Sequence, residues 1–214
     1  MKIKKRNNKI LPLIIFNTIF KLLVHNIFMD LDSSKVIITR IEQTNSKLPK
    51  IRVEKMVDIN SRICKPVLLK DPELIQTIYT FVKRFSLDYP DYELWLDKCR
   101  RELELGYKNA VYITNSDGII IGSLIFQKHK KDPLILELKN LRVHPVFEGK
   151  KIGTKLVRAV EQFAREQGFK RIQGDAHSDN PVIDFMVKMG YFIDAEETLY
   201  TNKKESILCK DIKT

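Results

Sequence analysis

The chain has 214 residues, 43% hydrophobic and 30% charged, which suits one ordinary domain plus an extension, with enough apolar mass for a core. Its net charge is +11, but 15 Lys/Arg face only 5 Asp/Glu over residues 1–70, whereas 23 face 22 over residues 71–214. The positive charge therefore belongs to an N-terminal arm, and no nucleic-acid partner is expected. Cys64, Cys99 and Cys209 are odd in number and widely spaced, with no CxxC or Cys/His cluster. That argues against a zinc site or a disulfide scaffold, so no metal is expected and a reduced, cytoplasmic setting is the simplest reading.

Residues 1–9 are basic and polar, and residues 10–29 are mostly apolar. The apolar run has the length of a membrane span, but Asn17, Lys21, His25 and Asn26 interrupt it, and a central lysine is costly in a bilayer. A signal peptide would need a small-residue cleavage site, which is missing. Asn17, Lys21 and His25 recur every fourth residue beside Thr18, a narrow polar stripe on an amphipathic helix. Such a helix lies on a membrane surface, meets a partner or docks on the domain. Residues 30–50 form a polar connector with one strand expected over 36–41. The resulting division is an extension over 1–50 and a folded domain over 51–214.

Within the domain a short strand is expected over 67–70. Asp71, Pro72 and Glu73 then open a helix: a capping side chain, a proline suited to the first turn and an acid at the positive end. Its buried face should carry Leu74, Ile78, Phe81 and Phe85. A second helix over 93–105 stops at Gly106, with Trp95, Cys99 and Leu103 on one face. Strands over 110–114 and 119–128 flank an Asn-Ser-Asp-Gly turn, since Asn and Gly tolerate left-handed backbone angles. A third strand spans 134–143. The amphipathic helix over 151–167 buries Ile152, Leu156, Val160 and Phe163. A strand over 171–176, a helix over 180–189 capped by Asn180, and strands over 191–195 and 198–209 follow. Hairpins followed by strand–helix–strand crossovers imply an α+β domain with a mixed sheet flanked by helices.

The segment from Asn140 to Phe169, NLRVHPVFEGKKIGTKLVRAVEQFAREQGF, runs a strand through a short turn into a long helix. The first amides of a helix lack internal partners and carry partial positive charge. A glycine-containing loop lets an anion approach them, the outline of a phosphate or pyrophosphate site beside Lys150 and Lys151. The GxxxxGK[ST] spacing of a P-loop is absent.

This stretch resembles the cofactor segment of the GNAT acetyltransferase superfamily. The family core, Q/R-x-x-G-x-G/A, falls on Glu148, Lys151 and Gly153; Gly153 matches, Lys151 stands for a glycine and Glu148 for a neutral or basic side chain. A second stretch, DNPVIDFMVKMGY from Asp179, is similar to the family's N-x-x-A-I-x-F-Y-x-K-x-G-F. Ile183, Phe185, Lys188 and Gly190 match, and Tyr191 replaces phenylalanine.

The resemblance covers residues 62–214 and implies a splayed, mostly antiparallel sheet binding acetyl-CoA. Backbone groups of Leu141, Arg142 and Val143 would hold the pantetheine arm. Amides of Gly149, Lys150, Lys151, Ile152, Gly153 and Thr154 would hold the pyrophosphate, and Asp179 or Asn180 would meet the cofactor near its thiol. Acetyl would pass directly to a primary amine of a protein, peptide or small molecule in a ternary complex.

Glu137, sixteen positions before Gly153, stands where histone-type members carry their basic glutamate. Strand alternation expects it on one face with Lys139, Leu141 and Val143; a solvent-facing strand carboxylate is the plain alternative. Met186 occupies the position of the family's proton-donating tyrosine and cannot donate. Either another group, such as His177, protonates the thiolate, or the thiolate leaves unassisted, or the domain binds acyl-CoA without catalysis, as a sensor. Tyr89, Tyr92 and Trp95 lie where the family often builds its acceptor site, although core packing explains Trp95 equally well. A protein governed by docking of residues 1–29 on a membrane or partner is the third reading.

Overall fold

The computed structural model describes residues 35–42, 50–58, 61–85, 89, 91–199 and 203–213. The chain divides into two units, Met1–Asn60 and Ser61–Thr214. In the first, strand β1 (Lys35–Glu42) pairs antiparallel with β2 (Lys50–Asp58), from Lys35 opposite Asp58 to Glu42 opposite Lys50. The strand expected over 36–41 is β1; β2 has no counterpart in the sequence reading, and its pairing ties residues 51–58 to the first unit. The amphipathic run at 10–29 lies outside the described residues. Among the described residues, no helix is long and apolar enough to cross a membrane.

The second unit is built on a seven-stranded sheet of order β3-β4-β5-β6-β7-β9-β8. Its strands are β3 (Val67–Leu68), β4 (Lys108–Thr114), β5 (Ile120–Lys128), β6 (Ile135–Val143), β7 (Arg171–His177), β8 (Phe192–Glu197) and β9 (Glu205–Asp211). Every neighbouring pair is antiparallel except β6 with β7. The expected mixed α+β sheet flanked by helices is therefore the observed one. The last expected strand, over 198–209, begins at Glu205.

Helix α1 (Glu73–Arg84) starts as its sequence dictates, with Asp71 Oδ1 accepting from the amide of Glu73 at 2.9 Å. It buries Ile75, Ile78, Phe81 and Val82, so the inward stripe is rotated from the expected one: Leu74 and Phe85 sit at its margin. Helix α2 (Tyr92–Glu104) buries Tyr92, Leu96, Cys99 and Leu103, and Trp95 packs at the edge of that cluster. Both helices share a core with Ala110, Ile120 and Ile125 of the sheet.

Helix α3 (Ile152–Glu166) covers the opposite face and buries Ile152, Leu156, Val157 and Val160. Phe163 meets Phe126 with ring centroids 5.1 Å apart. Strand β5 is consequently buried on both faces except at Lys128. Gly122 matters here: a Cβ on it would stand 2.6 Å from Ile152 Cγ2 and 3.1 Å from Leu156 Cδ1. Only glycine lets the first turn of α3 lie this close to the sheet. Helix α4 (Val182–Lys188) follows β7, and Asn180 Oδ1 accepts from the Val182 amide at 2.9 Å, as its capping position requires.

Candidate active site

Strands β6 and β7 are paired at three positions only: Ile135 with Arg171, Leu136 with Ile172, and Glu137 with Gln173. Beyond Glu137 they part. β6 stays on β5 as far as Val143, and β7 stays on β9 as far as His177. The register of β5 against β6 shifts between Ile125 and Phe126, opposite Asn140 and Leu138, which leaves Lys139 as an extra residue. Such a bulge bends its strand and strengthens the local twist, here at the point where the sheet opens. Gly174 permits the close approach just before the split, since a Cβ there would lie 3.4 Å from Leu138 Cβ.

The opening is a cleft of about 300 Å³. Residues Leu138 to Val143 form one wall and Gly174, Asp175 and Ala176 the other, with Tyr89, Glu148, Asn180 and Met186 around it. Among the described residues, no strand pairs with the β6 backbone on the side of the gap. Backbone donors and acceptors so placed are suited to an extended, amide-bearing chain, and a pantetheine arm is one.

At the end of β6 the chain turns through a 3₁₀ segment (Pro145–Phe147) into α3. His144 belongs to this turn: it is buried, its Nδ1 accepts from the Val146 amide, and burial lowers its pKa. Gly149 has φ +74°, a left-handed angle that glycine adopts freely. Lys151 has φ +59°, so the lysine standing for a family glycine keeps a glycine-like backbone, and its side chain is exposed. Lys155 is the first residue of the turn to donate back, to the Lys151 carbonyl at 3.0 Å. The amides of Ile152, Gly153 and Thr154 precede it and have no intrahelical acceptor. Together with the exposed Lys150 and Lys151, this is the donor set a diphosphate requires. Gly153 has a packing role too: a Cβ there would meet the Phe185 ring of α4 at 3.4 Å.

The other expected site residues fall in different places. Leu141 and Val143 stand opposite Leu124 and Gly122 and face α3. Arg142 lines the cleft but turns its side chain to the face covered by α1 and α2, where Nε donates to the Phe85 carbonyl at 2.9 Å and Nη1 to the Leu141 carbonyl at 2.6 Å. It fastens the C-terminal end of α1. Asn180 lines the cleft, whereas Asp179 is exposed and is not part of the cleft wall.

The face assignment of Glu137 requires correction. The bulge at Lys139 resets the alternation, so Glu137 shares its side of the sheet with Asn140 and Arg142, not with Leu141 and Val143. That is the side of α1 and α2: Asn140 donates to the Tyr92 hydroxyl at 3.1 Å. The Glu137 carboxylate is not solvent-facing in the simple sense, its side chain being 13% exposed. Gln127 Nε2 donates to it at 2.7 Å and Lys139 Nζ lies 2.6 Å away. Gln127 in turn accepts from Lys108, which pairs with Glu102 of α2 at 2.8 Å.

A further cluster borders the cleft. Glu205, wholly buried at the start of β9, has Oε1 2.8 Å from His177 Nδ1, and its Oε2 accepts from the Tyr89 hydroxyl at 3.3 Å. The His177–Glu205 contact is close without being aligned as a full hydrogen bond. Tyr89 stacks on His177 with centroids 4.5 Å apart and planes 14° apart. Burial raises the pKa of Glu205, and His177 opposes that rise; burial and the Glu205 charge raise that of Tyr89. Sequence reasoning noted His177 and Tyr89 separately and missed Glu205. Its signal was a lone acid two positions before the apolar run Ile207–Cys209; the ladder sets it directly opposite His177. Among the described residues, no group of His, Cys, Asp and Glu could hold a metal ion.

Residues 75–191 match the model of the acetyltransferase (GNAT) family. A search of curated protein sequences finds no match. Among solved structures, the chain is similar to ribosomal-protein-S18-alanine N-acetyltransferase from Escherichia coli (14% identity over 70% of this chain and 95% of that one, TM-score 0.56). It is also similar to Ard1 from Thermoplasma volcanium (19% identity, 71% and 100% covered, TM-score 0.56). A third is yncA from Salmonella typhimurium, solved with its cofactor acetyl-CoA (15% identity, 70% and 95% covered, TM-score 0.54). At these identities the structural likeness speaks for the fold.

Proposed function

The chain belongs to the acetyltransferase (GNAT) family and is an acyltransferase, and on that premise we propose that it moves acetyl from acetyl-CoA to a primary amine by direct attack in a ternary complex. The observation that carries this reading is the pairing of two features at one end of β6: a sheet that opens after Glu137, and unpaired amides heading α3. One would hold the pantetheine arm along Leu141, Arg142 and Val143. The other would hold the diphosphate at the amides of Gly149 and of Lys151 to Thr154, since the Lys150 amide already donates to the Phe147 carbonyl at 3.3 Å and that residue would contribute its side chain instead. Asn180, on the cleft wall, is the better placed of the pair Asp179 and Asn180 to meet the cofactor near its sulfur.

An amine with a pKa of about 10.4 must lose a proton before it attacks, at a cost of roughly 4–5 kcal/mol at neutral pH. We assign that proton to Glu137. Its carboxylate is fixed by Gln127 and already holds a lysine ammonium at 2.6 Å, so its surroundings accommodate a primary amine. Met186, buried at the cleft where the family carries a tyrosine, has no proton to give. We assign that step to His177, oriented by Glu205 and Tyr89. The acceptor is a protein, peptide or small molecule bearing a primary amine.

A second reading, an acyl-CoA-binding sensor, draws on Met186 and on the ion pair that occupies Glu137. A thiol-release assay with acetyl-CoA and an amine panel, run beside calorimetry with coenzyme A, separates the two. Binding with release supports the enzyme, and binding without release supports the sensor. Absence of coenzyme A uptake at millimolar concentration removes both.

A further inference from the structure

The bulge residue Lys139 is unusual in its company. It lines the cleft, its side chain is 16% exposed, and its ammonium lies 2.6 Å from the carboxylate of Glu137. The Glu137 side chain is held from behind, because Gln127 donates to its other oxygen at 2.7 Å and is itself tied to Lys108. The chain thus carries a primary amine of its own beside the assigned base, in the cleft assigned to the thioester. An extended β6 without the bulge would alternate differently; the register shift after Leu138 brings Lys139 to this place.

We propose that Lys139 is a self-acetylation site, and that its acetylation frees Glu137 to serve external amines; this rests on the acetyl-CoA reading above. In the step, Lys139 Nζ gives one proton to the Glu137 carboxylate. The neutral nitrogen attacks the thioester carbonyl carbon, the C–N bond forms, and the C–S bond breaks with its electron pair leaving on sulfur. Nitrogen loses a second proton as the amide forms. One of the two protons ends on the coenzyme A thiolate and the other passes to solvent, so one ammonium and one acetyl-CoA give one amide, one thiol and one proton. The product is uncharged and cannot form an ion pair with Glu137. Acetyl transfer to added amines should then begin with a lag, which preincubation with acetyl-CoA removes.

The test incubates the full chain with isotopically labelled acetyl-CoA and maps the label by peptide mass spectrometry, with calorimetry of coenzyme A on the same preparation. The expected result is label concentrated on Lys139, appearing at a rate independent of protein concentration and suppressed by excess coenzyme A. Glu137→Gln should slow labelling about a hundredfold, within the range for loss of a general base. Lys139→Arg keeps the positive charge opposite Glu137 and should take up coenzyme A while acquiring no label at that position. Label scattered over surface lysines without enrichment at Lys139, in a preparation that binds coenzyme A, overturns self-acetylation and leaves the transferase reading intact. A preparation that binds no coenzyme A overturns both.

Discussion

Replacing Gly122 by alanine tests whether the sheet sets the position of the diphosphate amides. The added Cβ would stand 2.6 Å from Ile152 Cγ2, against an optimal carbon–carbon separation of about 3.5–4.0 Å. The overlap is therefore about 1 Å, and it is not easily absorbed. Ile152 is 1% exposed and Leu156, the next neighbour at 3.1 Å, is 0% exposed. Overpacking of this kind costs about 1–3 kcal/mol. For a chain of this size each kcal/mol lowers Tm by about 2–4 °C, so a fall of about 2–12 °C is expected in calorimetry. The strain falls on the first residue of α3, whose own amide is one of the proposed phosphate donors. A displacement near 1 Å at such a site costs up to about a hundredfold in function. Calorimetric affinity for coenzyme A should thus fall by about tenfold or more, beyond what the lost stability explains. Unchanged Tm together with unchanged affinity would refute the claim that α3 is seated through Gly122. A lowered Tm with full affinity would show that the amides are placed by something else.

Lys151→Gly should raise stability by up to about 1 kcal/mol in denaturant unfolding, because the lysine holds a left-handed backbone angle that glycine adopts without cost. Asn180→Ala should cost about 1 kcal/mol by removing the bond to the Val182 amide, and Asn180→Asp should recover most of it. Glu205 has its pKa raised above the ordinary 4.5 by burial, against the pull of His177 and the Tyr89 hydroxyl and with the push of Asp175 and Asp179. A carboxyl shifted upward contributes stability below its unfolded pKa and loses it as pH rises through the folded value. Glu205→Gln should therefore flatten the decline in unfolding midpoint above pH 4.5; an unchanged pH profile would deny Glu205 that role. Cys99 is buried and its thiol is pushed up to about 12, so in native protein at neutral pH alkylating reagents should modify the half-buried Cys64 first and leave Cys99 intact.

Local chemistry decided most of what the sequence made legible. Asp71, Asn180 and the glycines after helices punctuate the chain through bonds made within a few residues, and those elements appear where they were expected. The apolar spacing of Ile152, Leu156 and Val160 determined both the existence of α3 and its buried face. Polar and apolar residues alternate from Lys50 to Glu54, the period of a strand, but the alternation breaks at Lys55, beside the register shift against β1, and the pairing carries β2 on to Asp58.

The site shows the same division more sharply. The loop that heads α3 is one continuous segment, and its glycine, lysines and helix start can be read in order; so can Glu137 as a carboxylate on a strand. Which way Glu137 faces depends on one extra residue in β6, Lys139; the apolar pattern marks it only as a change of phase, from Leu136 and Leu138 to Leu141 and Val143, and the pairing with β5 sets where the step falls. The parting of β6 and β7 after three pairs, and the meeting of Tyr89, His177 and Glu205 across up to 116 positions of chain, are likewise products of the assembled sheet. The sequence alone settled the helix that offers its amides, because hydrogen bonding along a helix is local. Tertiary structure settled the cleft before it and the faces of its walls, because pairing register is a relation between strands.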